Sequence, residues 1–154
     1  MHAILVPVDF GDGCLQALQT ADYLARLTSG KVLVVHAFPH GAASGDDLDP
    51  SAAHLVVDGL REAQVVRNLK VQMEEFLRRA GPSARQVLFR SGSPAATIVA
   101  AATEVQADLI VIASHGRRGL ARMVLGSTAE EVVKKAHCSV LTLKPGSPSF
   151  LGPP

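Results

Sequence analysis

The sequence predicts an α/β protein with a doubly wound parallel sheet and helices on both of its faces. Five short apolar runs lack polar alternation, and between them lie segments whose apolar residues recur every three or four positions. Strands of the first kind are buried on both faces, which is the effect of crossover helices on a parallel sheet. The length, 154 residues, accommodates one such domain at about 150 residues per domain.

The elements follow in order. Ala3–Val8 (AILVPV) is a buried strand that stops at the turn formers Asp9-Phe10-Gly11-Asp12-Gly13. Leu15, Leu18, Ala21, Leu24 and Ala25 then recur at helical spacing, and Gly30 is expected to close that helix. Lys31–Ala37 (KVLVVHA) is the second strand, followed by a Gly-, Pro- and Asp-rich loop over Phe38–Pro50 that is expected to be the most mobile part. Val56, Leu60, Ala63, Val66, Leu69, Met73, Phe76 and Ala80 form one stripe of a long amphipathic helix over Ala52–Ala80, ended by Gly81-Pro82. Arg85–Phe89 is the third strand. After Gly92, Ser93 is suited to cap and Pro94 to open a helix burying Ile98, Ala101, Ala102 and Val105. Asp108–Ala113 (DLIVIA) is the most apolar strand. A glycine-bearing loop, Ser114–Leu125, leads to a helix from Ser127 and a last strand, Val140–Lys144. The domain is expected to span residues 1–145, with 146–154 as a loose Pro/Gly/Ser-rich tail.

Composition narrows the function. Fifteen Lys and Arg against fourteen Asp and Glu leave a net charge of +1, so no cationic excess exists to neutralise a nucleic acid or hold an anionic membrane. No apolar run reaches the ~20 residues of a membrane span, and the N-terminus lacks a signal-peptide pattern, so a cytoplasmic protein is expected. Cys14 and Cys138 are far apart with no CxxC spacing, which suits reduced thiols. No histidine pair has ligand spacing on a helix, so no metal site is expected.

Common catalytic motifs are absent. Gly11-x-Gly13 follows a strand, but Gln16 replaces the third glycine of a dinucleotide fingerprint, and the chain has no GxxxxGK[ST], HExxH or GxSxG. The segment with chemistry in it runs from Ala113 to Ser127. There a strand ends in Ala113-Ser114-His115-Gly116, Gly126-Ser127 opens a helix, and Arg117, Arg118 and Arg122 add charge. A helix N-terminus beside glycines favours an anion. Ser127-Thr128-Ala129-Glu130 is equally an S-x-x-E capping box, which would account for Ser127 and Glu130 without a ligand. In doubly wound sheets, ligands bind beyond the carboxyl ends of the strands where the winding reverses, which selects the loops after strands one and four.

Ala113-x2-Gly116-x9-Gly126-Ser127 resembles the G-x2-G-x9-G-[ST] signature of the universal stress protein family. ILVPVDF, KVLVVHAF, Gly92-x-Pro94-Ala95-x2-Ile98, ADLIVIASHGRRGL and LGSTAEEVVKKAHCSVLTLK resemble the family in order along nearly the whole chain. The resemblance implies the sheet order 3-2-1-4-5 and a homodimer. From its ATP-binding branch it implies an adenosine site at Pro7, Val8 and Asp9, with Ala37 lining the base. Ile112, Ala113, His115, Gly116, Gly126, Ser127 and Thr128 would carry ribose and phosphates, with Mg²⁺ accompanying ATP. Ala113 departs from the motif glycine, adding a methyl group near the ribose.

The reading is an ATP-binding stress-response regulator working as a homodimer through Val140–Lys144, with at most slow hydrolysis. No catalytic residue is expected, because Asp9, His115 and the arginines lack a Walker lysine or carboxylate pair beside them. The alternative is a nucleotide-free protein-interaction module. Protein partners are not readable from the sequence.

Overall fold

A computed structural model describes residues 2–39, 53–83, 85–114 and 125–144, with 53–58 as backbone only. Most of the expected Phe38–Pro50 loop, most of the loop after strand four and the tail lie outside the described residues. The elements are β1 (Ala3–Pro7), α1 (Asp12–Thr28), β2 (Lys31–Phe38), α2 (Ala53–Ala80), β3 (Gln86–Ser91), α3 (Pro94–Glu104), β4 (Leu109–Ala113), α4 (Ser127–Lys135) and β5 (Ser139–Leu143). All strand pairs are parallel, in the order β3-β2-β1-β4-β5. The winding therefore reverses between β1 and β4.

Because successive side chains leave opposite faces of a strand, two cores result. Ile4, Val6, Val32, Val34 and Val111 pack with Cys14, Ala17, Leu18, Met73 and Phe76 beneath α1 and α2. Leu5, Leu33, Val35, Ile110 and Ile112 pack with Ile98, Ala102, Ala129 and Val132 beneath α3 and α4. Across the first face, the Arg85 side chain, 1% exposed, pairs with Asp22 of α1. Its Nε donates to Asp22 at 3.2 Å and a terminal nitrogen to the Gly81 carbonyl at 3.3 Å.

Several boundaries differ from the sequence reading for local reasons. The helix α1 starts at Asp12, inside the expected Asp9–Gly13 turn, because Asp9 accepts the Gly11 N–H at 2.9 Å and turns the chain early. Its left-handed closing residue is Ser29 (φ 52°), not Gly30. Gly30 is required by close approach, since a Cβ there would lie 2.8 Å from the His2 carbonyl oxygen. Ser93 and Pro94 take their expected places at the start of α3, but the Ser93 side chain makes no capping bond. Among the described side chains of the α2 stripe, those at the carboxyl end, Met73, Phe76 and Ala80, are buried, while Leu60 is 65% exposed. A helix of 28 residues is about 42 Å long, whereas the 8 residues of β2 span about 26 Å. The helix outruns the sheet it packs on.

Candidate functional site

The carboxyl ends of β1 and β4, adjacent in the sheet, bound the candidate site. Pro7 and Val8 are buried and Asp9 is half-buried. The last rung joining β1 to β2 runs from the Val8 N–H to the Val35 carbonyl at 2.9 Å, and the register stops at Pro7 opposite Val35. Beyond that point β2 continues beside β3 alone, with His36, Ala37 and Phe38 opposite Phe89, Arg90 and Ser91.

This overhang has a chemical consequence. Backbone groups of alternate residues point to alternate edges of a strand. Val35 bonds toward β1, and the Phe38 carbonyl accepts from Gly92 on the β3 side at 2.8 Å. Ala37 therefore turns its N–H and C=O to the side from which β1 has departed, and no rung to Val8 follows. The Val8 carbonyl is instead taken by Nδ1 of His36 at 2.7 Å. A carbonyl only accepts, so this bond places the proton on Nδ1.

The turn after β1 is held from several directions. Asp9 Oδ1 accepts from Gly11 N–H and, at 3.1 Å, from the Cys14 thiol. Burial, reinforced by the Asp9 charge, pushes the Cys14 thiol up to about 12, which excludes it as a nucleophile at neutral pH. Phe10 adopts φ 65°, a rare conformation for a bulky residue. Its ring lies 4.6 Å from that of His36 and meets Phe76 edge-on at 5.8 Å. Phe89 closes the cluster on the other side of His36 at 6.3 Å.

At the end of β4, Ile112 and Ala113 are buried and pair with Thr142 and Leu143. Ala113 has no positive φ, so a side chain costs nothing in backbone strain there. Ser114, 2% exposed, donates its N–H to the Leu143 carbonyl at 2.7 Å and accepts the Gly126 N–H at 2.6 Å. The two halves of the glycine motif thus meet at Ser114 and Gly126.

The expected capping box is not formed. Gly126 (φ −71°, ψ 153°) is itself the N-cap, Ser127 is already helical, and among the described residues no side chain caps the turn. The Gly126–Ser114 bond brings the chain into the helix one residue earlier than the S-x-x-E pattern requires. Glu130 is drawn the other way, to Lys134 at 2.6 Å, one turn further on. Ser127 is exposed and Thr128 half-buried at this helix start. His115 and Gly116, with Arg117, Arg118 and Arg122, lie outside the described residues.

Sequence reasoning singled out neither His36 nor Phe10. A signal existed for the first: His36 interrupts an apolar strand on the face it shares with Val32 and Val34.

A parallel sheet of this order, with helices on both faces and its winding reversed between β1 and β4, defines the doubly wound α/β class, in which ligands bind at the switch point. The family model described as "Universal stress protein family" matches residues 1–144. The chain belongs to that family. It is similar to the universal stress protein MJ0531 of Methanocaldococcus jannaschii, 32% identical over 92% of this chain and 81% of the relative. Among solved structures, the hypothetical protein MJ0577 shares the fold, with a TM-score of 0.75 at 23% identity over 96% of this chain and 98% of that one. The universal stress protein from Archaeoglobus fulgidus in complex with dAMP gives a TM-score of 0.56 at 29% identity, over 92% and 97% of the two chains.

Proposed function

We propose that this chain binds ATP beyond the ends of β1 and β4 and acts as a nucleotide-dependent regulator in a homodimer. The observation that carries the reading is the open edge at Ala37. Its N–H and C=O, a donor beside an acceptor, complement adenine, which offers an acceptor at N1 beside a donor at N6, whereas guanine offers the reverse. Pro7, Val8 and Asp9 would face the adenosine. The first turn of α4, whose N-cap is a glycine, suits the phosphates, with Gly126, Ser127 and Thr128 offering backbone N–H groups, hydroxyls and the positive end of the helix dipole. Ile112 and Ala113 would border the ribose, and His115 and Gly116 would complete the phosphate side. Mg²⁺ would arrive held mainly by the phosphates. The A. fulgidus relative with dAMP supports an adenine nucleotide as the ligand class.

The chain has no Walker lysine, so hydrolysis would be slow at most. Among the described residues no helix is long and apolar enough to cross a membrane, which is compatible with a cytoplasmic role. For the dimer, support comes from β5, an edge strand whose Val140 and Leu141 are only half-buried.

A second reading, a nucleotide-free interaction module, draws on Ala113, whose methyl group stands where the motif has glycine. Mass spectrometry of the purified, gently denatured protein separates the two. Co-purified ATP supports nucleotide binding; its absence, together with no uptake of added ATP, supports the module.

A further inference from the structure

We propose that His36 is the positioning residue that keeps the base-recognition edge open. The inference rests on the adenine-nucleotide reading above and adds the device behind it. In a regular parallel ladder the rung after Val8 N–H to Val35 C=O would run from Ala37 N–H to Val8 C=O. That rung is missing, and the Val8 oxygen lies 2.7 Å from Nδ1 of His36 instead. Ladder bonds lie in the plane of the sheet, while a side chain stands nearly perpendicular to it. A carbonyl drawn to the imidazole is therefore turned out of the plane in which Ala37 would reach it.

The surroundings hold the imidazole in that place. Phe10 and Phe89 flank the ring, at 4.6 Å and 6.3 Å between centroids. The left-handed conformation of Phe10 and the Asp9 turn carry the chain away from β2 just after Val8. His36 thus exchanges a side-chain donor for a backbone one. It satisfies the Val8 carbonyl and leaves the Ala37 amide for a ligand. Without a donor at this position, β1 and β2 would zip one rung further and fill the edge that a base would use.

The test compares wild type with His36→Phe, which removes the donor, and His36→Asn, whose Nδ2 can occupy the place of Nδ1. Amide hydrogen exchange by NMR is followed at Ala37 and Val35 in the ligand-free proteins, and ATP and GTP are titrated into each. In wild type, Ala37 should exchange at least about tenfold faster than the ladder residue Val35. In His36→Phe, Ala37 should become as protected as Val35, ATP should bind about tenfold more weakly, and the preference over GTP should vanish. His36→Asn should restore all three properties. An Ala37 amide already protected in ligand-free wild type overturns the proposal, even if His36→Phe does not fold. So does a folded His36→Phe with wild-type exchange and base preference. If exchange behaves as expected but no protein binds ATP, His36 still opens the edge, and it is the nucleotide reading that fails.

Discussion

The N–H of Gly126 donates to the carbonyl of Ser114 at 2.6 Å, which ties the end of β4 to the first residue before α4. This bond sets where the helix begins, and so which backbone groups of Ser127 and Thr128 face the switch point. With its φ of −71°, Gly126 sits in backbone that any residue can adopt. Gly126→Asp should therefore fold. Its carboxylate would cap the open turn and raise stability by a few tenths of a kcal/mol, while occupying the position of a phosphate and abolishing ATP binding. Thermal melts and calorimetry on the same sample check both halves. A variant that binds ATP normally would place the phosphates elsewhere.

Ala113 calls for the opposite substitution. It lies in β4 opposite Leu143, without positive φ. Ala113→Gly should leave ATP affinity equal or better, at a cost of roughly 0.5–1 kcal/mol in stability. A clear loss of affinity with circular dichroism unchanged would remove Ala113 from the ribose site.

The Arg85–Asp22 pair makes a stability prediction. With the Arg85 side chain 1% and that of Asp22 11% exposed, removing one partner strands a charge. Arg85→Met should cost about 3–5 kcal/mol in urea unfolding. The double variant with Asp22→Leu should recover most of that loss. Equal losses in the single and double variants would show that packing, not the charge, governs the site.

At the amino end of the sheet, Asp108 accepts the Ala3 N–H at 2.8 Å, and that bond, helped by His2 nearby, holds its carboxyl below the ordinary range. A depressed carboxylate stabilises the fold above its unfolded value, about pH 4, and the contribution is lost as pH falls through the folded value. The stability difference between wild type and Asp108→Asn should be largest near neutrality and shrink below about pH 4. A difference constant with pH would contradict the assignment.

The edge strand β5 predicts a dimer. Leu143 bonds inward to Ser114, so by alternation the N–H of Thr142 points outward from the sheet. An antiparallel copy of the strand across a two-fold axis would satisfy that row of groups. Thr142→Pro removes one outward donor and should give a monomer by light scattering, with the β4–β5 ladder retained. A monomeric wild type, or a variant as dimeric as wild type, would contradict the interface.

The sheet was legible because buried parallel strands write themselves as unbroken apolar runs, AILVP and LIVIA among them, whose burial leaves little alternative. Ends were less legible, since they depend on contacts remote in sequence. Ser127 reads as an N-cap until the Ser114–Gly126 bond, made across a long loop, shifts the helix start by one residue. Leu60 reads as core until the sheet proves shorter than the helix above it. In the site, the switch point and the glycine motif could be located from pattern. The exchange of partners at Val8 could not, because it depends on a rung that is missing.

Isothermal titration of the purified protein with ATP and with GTP, in Mg²⁺, tests the central claim most directly. The Ala37 edge that β1 leaves, together with a helix start capped by a glycine, predicts ATP binding tighter than about 1 mM, equivalent to about −4 kcal/mol. GTP should bind at least about tenfold more weakly, because its base presents donor to donor and acceptor to acceptor at Ala37. No heat with ATP up to the millimolar range, or equal affinity for the two nucleotides, would contradict the account.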